Sequence, residues 1–117
     1  MNLAGKTILV TGGARRIGRT ISLAAAQAGA NVIIHHNNSQ QEAEKVAEEI
    51  RGLGSQVWIL QADLEDPSQA IGLFNRFRDL TSIDALINNA AIFAPGSALS
   101  TSLETWQQHL AINLTAP

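Results

Sequence analysis

The sequence of 117 residues contains no cysteine and no tyrosine, and only two tryptophans, three phenylalanines and three prolines. Without cysteine there is neither a disulfide framework nor a thiolate zinc site. Charge of either sign is sparse: 8 basic against 10 acidic side chains leave a formal net charge of -2. Such a chain has no large field to draw it onto nucleic acid or anionic lipid, and apart from the Arg15-Arg16 pair its basic residues are scattered. Long apolar runs are also missing. None approaches the ~20 residues that a membrane-spanning helix needs, and Met1 to Lys6 lacks the apolar segment of a signal peptide. The expectation is a chain without nucleic-acid or membrane partners and with a cytoplasmic location. The adjacent His35 and His36 are not read as metal ligands, because neighbours on a strand point to opposite faces and no third ligand accompanies them.

What is present is an alternation of short β-branched runs with helical periodicities, within a composition that is 45% hydrophobic. Lys6 to Val10 reads as a buried strand. Ile17 to Ala28 places Ile17, Ile21, Ala24, Ala25 and Ala28 at helical spacing, with Gly29 as its stop. Val32 to Ile34 is a second strand, and a helix capped by Ser39 runs to Leu53 with Ala43, Val46, Ala47 and Ile50 on one face. Val57 to Leu60 is a third strand, Pro67 opens a helix reaching about Leu80, and Ala85 to Ile87 is a fourth strand. From Ser102 to Pro117, Leu103, Trp106, Leu110 and Leu114 mark a last helix, capped by Ser102. This βαβαβαβ pattern predicts one α/β domain over 1–117, a Rossmann-type doubly wound parallel sheet of order 3-2-1-4 with right-handed crossovers. In such a fold the last helix should return the chain to a fifth strand, so the segment reads as the front part of a longer domain. Trp58 and Trp106 are expected in the core or at an interface.

The run Leu9-Val10-Thr11-Gly12-Gly13-Ala14-Arg15-Arg16-Ile17-Gly18 passes from strand through a glycine turn into a helix. Its chemistry suits an anion: free N–H groups at the helix start point at a phosphate, the helix dipole adds positive potential, and glycine lets the pyrophosphate approach the main chain. A glycine turn that merely ends a strand is the plainer reading. The end of the second strand, where dinucleotide enzymes select their cofactor, reads His35-His36-Asn37-Asn38-Ser39. No carboxylate is there to repel a 2′-phosphate, and Arg15 with the His36, Asn37, Asn38 and Ser39 donors would hold one, favouring NADP(H) over NAD(H). The bland alternative is a polar loop after a strand.

Taken together, Gly12 to Gly18, Asn88-Asn89-Ala90-Ala91 and Asn113 resemble the front half of the short-chain dehydrogenase/reductase family, essentially over the whole chain. Gly12 and Gly18 match the outer glycines of the family's T-G-x-x-x-G-x-G turn, and Arg16 replaces the middle one. The resemblance implies a cofactor site formed by Gly12, Ala14, Arg15, Arg16, Ile17, Gly18, Asp63 and Leu64, with ribose and nicotinamide passing beside Asn89, Ala90 and Ala91. Asp63 matches a family position at the adenine, and it reads equally as an N-cap or turn residue before Pro67. Asn113 matches the Asn of the family's Asn-Ser-Tyr-Lys tetrad, with the implied role of holding a water in the proton relay. The family moves its proton with a Tyr whose pKa a nearby Lys lowers. No tyrosine is present, so hydride transfer by these residues alone is not expected.

A narrower similarity is to the pteridine reductases, which carry T-G-x-x-[KR]-R-[IL]-G, a His-rich segment ending in Ser, and N-N-A-x-x-F. The matching segments here are Arg15 to Gly18, His35 to Ser39, and Asn89 to Phe93. That similarity implies a pterin or dihydrofolate substrate stacked on Phe93, with Arg16 between cofactor phosphate and pterin. The structural alternatives are a core or lid aromatic and a solvated charge. A 3-oxoacyl or other carbonyl reductase, or a non-catalytic NADP(H)-binding module, are the competing functions. A homotetramer or homodimer is implied for the whole protein.

Overall fold

Four consecutive buried residues, Thr7–Val10, form β1, and the computed structural model describes all 117 residues around it. The chain continues as α1 (Arg16–Gln27), β2 (Asn31–His36), α2 (Gln40–Gly52), β3 (Val57–Gln61), α3 (Pro67–Arg78), β4 (Ala85–Ile87) and α4 (Leu103–Leu110), which ends in a π-helical turn, Ala111–Thr115. The four strands make one sheet in the order β3-β2-β1-β4. All three pairings are parallel, with Leu9 beside Ile33 and Leu86, and Ile34 beside Ile59. The strand order and class are those that the alternating pattern predicts.

Side-chain alternation along the strands divides the core in two. Ile8, Val10, Val32 and Ile34 face α1 and α2, where they meet Ala25, Ala26, Ala43, Val46, Ala47 and Ile50. Leu9, Ile33 and Leu60 face the other way and pack with Ala62, Leu73 and Phe77, against which Trp58 also lies. The small alanines on the inner faces of α1 and α2 bring those helices close to the sheet, which sets the ends of β1 and β2 side by side beneath the start of α1.

Several element ends differ from the sequence reading. β2 runs on to His36 rather than stopping at Ile34, because His35 and His36 are buried strand residues, only 2% and 3% exposed, with hydrogen-bonded rings. The polar-loop alternative therefore holds only for Asn37 and Asn38. Ser39 precedes α2 but its hydroxyl caps nothing; its N–H donates to His36 Nδ1 instead, at 3.2 Å. Asp66, not Asp63, caps α3, accepting the Ser68 N–H at 2.9 Å, with Pro67 in the first turn. Trp106 is 58% exposed rather than in the core of this chain.

Asp84 fastens the start of β1 to the approach of β4, accepting the Thr7 N–H at 2.9 Å and pairing with Lys6 at 3.4 Å. Ser102 does cap α4, accepting the Thr105 N–H at 3.1 Å. No helix is long and apolar enough to cross a membrane.

Candidate cofactor and substrate site

At the C-terminal ends of β1, β2, β3 and β4 lies a cleft of about 370 Å³. This is where parallel sheets of this topology bind ligands, since the strand order reverses between β1 and β4. It is lined by Gly12, Ala14, Arg15, Arg16, Ile17, Gly18, His36, Asn37, Ser39, Asp63, Leu64, Asn89, Ala90 and Ala91. All of these were singled out in the sequence. Asn38, Phe93 and Asn113 lie outside it, while His35, Ala62, Ile92 and Ile112 line it without having been singled out.

The floor of the cleft is a turn with no spare volume. Gly12 has φ 63, the left-handed region that glycine enters without strain. A Cβ at Gly18 would overlap the Gly12 carbonyl oxygen, so the start of α1 can press against the turn only with glycine there. Gly13 has an ordinary φ and matches no family glycine, yet a Cβ there would stand 2.9 Å from both Val10 O and Ser22 Oγ. Ser22 is fully buried, with its hydroxyl 3.0 Å from Gly13 O and 2.9 Å from Gly18 O. It ties the turn to the helix that follows.

Arg16 has φ 50, the one non-glycine residue with positive φ. It occupies the position of the missing middle glycine, and the backbone keeps the conformation that glycine would favour. The residue is exposed and lines the cleft.

A clamp joins this turn to the end of β4. Thr11 Oγ1 accepts the N–H groups of Asn89 and Ala90, each at 3.0 Å, and Asn89 Nδ2 donates to Thr11 O at 3.0 Å and Gly12 O at 3.2 Å. Asn89 thus shapes the site through its amide, holding two strand ends together. His35 does the same between β1, β2 and β3. Its Nδ1 accepts the Gly12 N–H at 3.1 Å, its Nε2 lies 2.9 Å from Ala62 O, and its own carbonyl accepts the Gly13 N–H at 3.0 Å. Since Nδ1 accepts, the ring proton sits on Nε2 and is donated to Ala62. Burial pushes the His35 pKa down, and His36 and Arg76 add to that by disfavouring a second positive charge. The sequence signal that could have singled out His35 is its place on the last turn-facing residue of β2, directly opposite the glycines.

The donors left over suit an anion. The first amide of α1 to find a backbone partner is Arg19, which donates to Arg15 O at 3.1 Å, so the N–H groups of Arg16, Ile17 and Gly18 remain unpaired. Neither Arg15 nor Arg16 enters an ion pair; Arg19, by contrast, is held by Glu49 at 2.9 Å. At the end of β2, Asn37 and Ser39 present neutral donors, and no carboxylate lies there. Asp63 is at the opposite side, its Oδ1 accepting the Glu65 N–H at 2.9 Å in a turn.

On the far side of the cleft, the segment after β4 is pinned by the last helix. Asn113, in the π-helical turn, grips both polar groups of Ile92: Oδ1 accepts the Ile92 N–H and Nδ2 donates to Ile92 O, each at 2.9 Å. Its amide is thereby committed to the backbone of the loop that follows β4. Phe93, next along, is 87% exposed. No cluster of His, Cys, Asp or Glu suited to a metal ion is formed.

The family model described as short chain dehydrogenase matches residues 6–117. A short chain dehydrogenase/reductase of Colletotrichum higginsianum is 40% identical over 98% of this chain and 43% of its own length. Among solved structures, a short chain dehydrogenase from Burkholderia cenocepacia in complex with NADP superposes with a TM-score of 0.94 at 36% identity, covering 99% of this chain and 48% of that one. FolM alternative dihydrofolate reductase 1 from Brucella canis, complexed with NADP, gives a TM-score of 0.87 at 34% identity, with 100% and 48% covered. The chain spans about half the length of the relatives that it matches.

Proposed function

Because this chain belongs to the short chain dehydrogenase family, we propose that it forms the cofactor-binding half of an NADPH-dependent reductase acting on a C=N or C=O bond, with a pterin or dihydrofolate as the preferred substrate. The observation that carries the cofactor reading is the donor set of the cleft. Three unpaired N–H groups at the start of α1 and a turn with no room for a Cβ at Gly13 or Gly18 fit a diphosphate. The unpaired Arg15, with Asn37 and Ser39 and without a carboxylate, fits a 2′-phosphate rather than a bare ribose diol. Asn38, exposed and outside the cleft lining, would reach such a phosphate only at its rim. When bound, the nicotinamide supplies hydride to the substrate carbon.

The chain's own residues orient the two molecules. Asp63 and Leu64 would border the adenine, and Asn89, Ala90 and Ala91 the ribose and nicotinamide, all five from the lining of the one cleft. Arg16 lines the cleft and is exposed, and its planar guanidinium would bridge a cofactor phosphate and a flat heterocycle. Phe93 would supply the opposite face of that heterocycle; its exposure leaves the ring free to stack. The similarity to FolM supports the pterin assignment. Asn113, whose side-chain amide is taken up by Ile92, would serve the proton relay through the groups that this grip leaves free. These residues include no tyrosine, so the proton would be supplied from outside them. For the whole protein we infer a homo-oligomer in the cytoplasm.

The deciding experiment follows NADPH and NADH oxidation by the full-length protein with dihydrobiopterin, dihydrofolate and a 3-oxoacyl thioester. Turnover of the pterins with NADPH is the expected result. Turnover of the thioester alone would make the protein a carbonyl reductase, and NADPH binding without any turnover would leave a binding module.

A further inference from the structure

Between Ala91 and Gly96 the main chain makes hydrogen bonds at two residues only, and both are held by one helix. Ile92 is gripped by Asn113, and the Ala94 N–H donates to His109 Nε2 at 3.0 Å. The other ring nitrogen, His109 Nδ1, lies 2.7 Å from Thr105 O. An Nε2 that accepts leaves the ring proton on Nδ1, so His109 donates to its own helix and accepts from the loop. Phe93 stands between the two gripped residues, and its side chain, 87% exposed, has no packing of its own to orient it. Its direction is therefore set by the backbone on either side.

Resting on the substrate reading above, we propose that His109 is a positioning residue for the substrate: with Asn113 it pins both flanks of Phe93 to the last helix and so fixes where the ring stands beside the cleft. His109 touches neither cofactor nor substrate in this arrangement. It acts on where the substrate is held, and leaves the phosphate turn on the other wall untouched.

Side-chain length provides the test. In His109→Gln the amide oxygen can stand about where Nε2 stood and accept the Ala94 N–H; in His109→Asn the acceptor is drawn back toward the helix and falls short. In the full-length protein, His109→Asn is expected to speed amide hydrogen exchange at Ala94 and to raise the KM for dihydrobiopterin, each by about two- to tenfold, the value of one neutral hydrogen bond. The dissociation constant for NADPH should stay within about twofold, and His109→Gln should restore both altered readouts. The proposal is overturned by unchanged Ala94 exchange and KM in His109→Asn, by NADPH affinity falling in step with KM, or by failure of the glutamine to rescue. A wild type that reduces no pterin would defeat the substrate class and not this clamp, which Ala94 exchange and the KM for the carbonyl compound it does reduce would then decide.

Discussion

Arg16 keeps a left-handed backbone, φ 50, at a position where glycine would do so freely. For a residue with a Cβ that conformation costs roughly 1–2 kcal/mol, partly offset because glycine loses more chain entropy on folding. Arg16→Gly is therefore expected to raise stability by up to about 1 kcal/mol in urea unfolding while weakening NADPH binding, two readouts moving in opposite directions. A loss of stability would show that the backbone there is unstrained. Arg15 tests the 2′-phosphate. Arg15→Asp should raise the dissociation constant for NADPH by roughly tenfold or more and leave that for NADH nearly unchanged, and equal losses would remove the phosphate role. His35 links the same turn to pH. Burial lowers its folded pKa, so the unfolded chain, with an ordinary imidazole near 6.5, takes up a proton first as pH falls. The stability that neutral His35 contributes is present above about pH 6.5 and is lost progressively below it. In His35→Asn, whose oxygen can still accept the Gly12 N–H, this acid-sensitive part should be missing; identical acid profiles in wild type and variant would refute the assignment.

The elements were legible where one physical signal dominated. β4 matches its sequence reading, Ala85 to Ile87, because a short apolar run there is followed at once by two asparagines. α3 begins at Pro67, whose missing N–H and preset φ suit a first turn. β2 was read short because His35 and His36 look polar in sequence; only contacts with Gly12, Ala62 and Gln40 make them strand residues. Ser39 and Ser102 show the converse. Both precede helices, yet only Ser102 caps, since the Ser39 backbone is drawn to the His36 ring. Ser102→Ala should accordingly cost about 1 kcal/mol of helix stability, seen as faster amide exchange in the first turn of α4. Ser39→Ala should have almost no such effect on α2, and equal effects would contradict the different cap geometry.

The molecule as a whole is more open than its mass requires. Its accessible surface is 7126 Å² and its radius of gyration 15.0 Å. A compact chain of 12.5 kDa and 117 residues would expose about 6,200 Å² with a radius near 13 Å. The excess lies around β4, which pairs only with β1, and along α3 and α4, where Leu86, Ile71, Phe74, Trp106, Leu110 and Leu114 are exposed. Apolar surface next to an open strand edge promotes association. The 117-residue chain expressed alone is expected to self-associate with rising concentration in sedimentation velocity. A monomer throughout the range would show that this surface is innocuous.

Local chemistry was enough to place the strands and the glycine turn and to motivate the proposal of a phosphorylated ribose. Those depend on side-chain period, on the small volume of Gly12 and Gly18, and on the missing carboxylate between His35 and Ser39, all of which are properties of neighbours in the chain. What only the tertiary structure decided are the contacts between residues far apart. Asn89 turns its amide onto the Thr11 and Gly12 carbonyls, His35 reaches across two strands to Gly12 and Ala62, and His109 and Asn113 hold the loop around Phe93. An asparagine or histidine has the same donors and acceptors wherever it stands. Which of them meet is set by the order in which the strands are laid side by side, and no stretch of sequence contains that on its own.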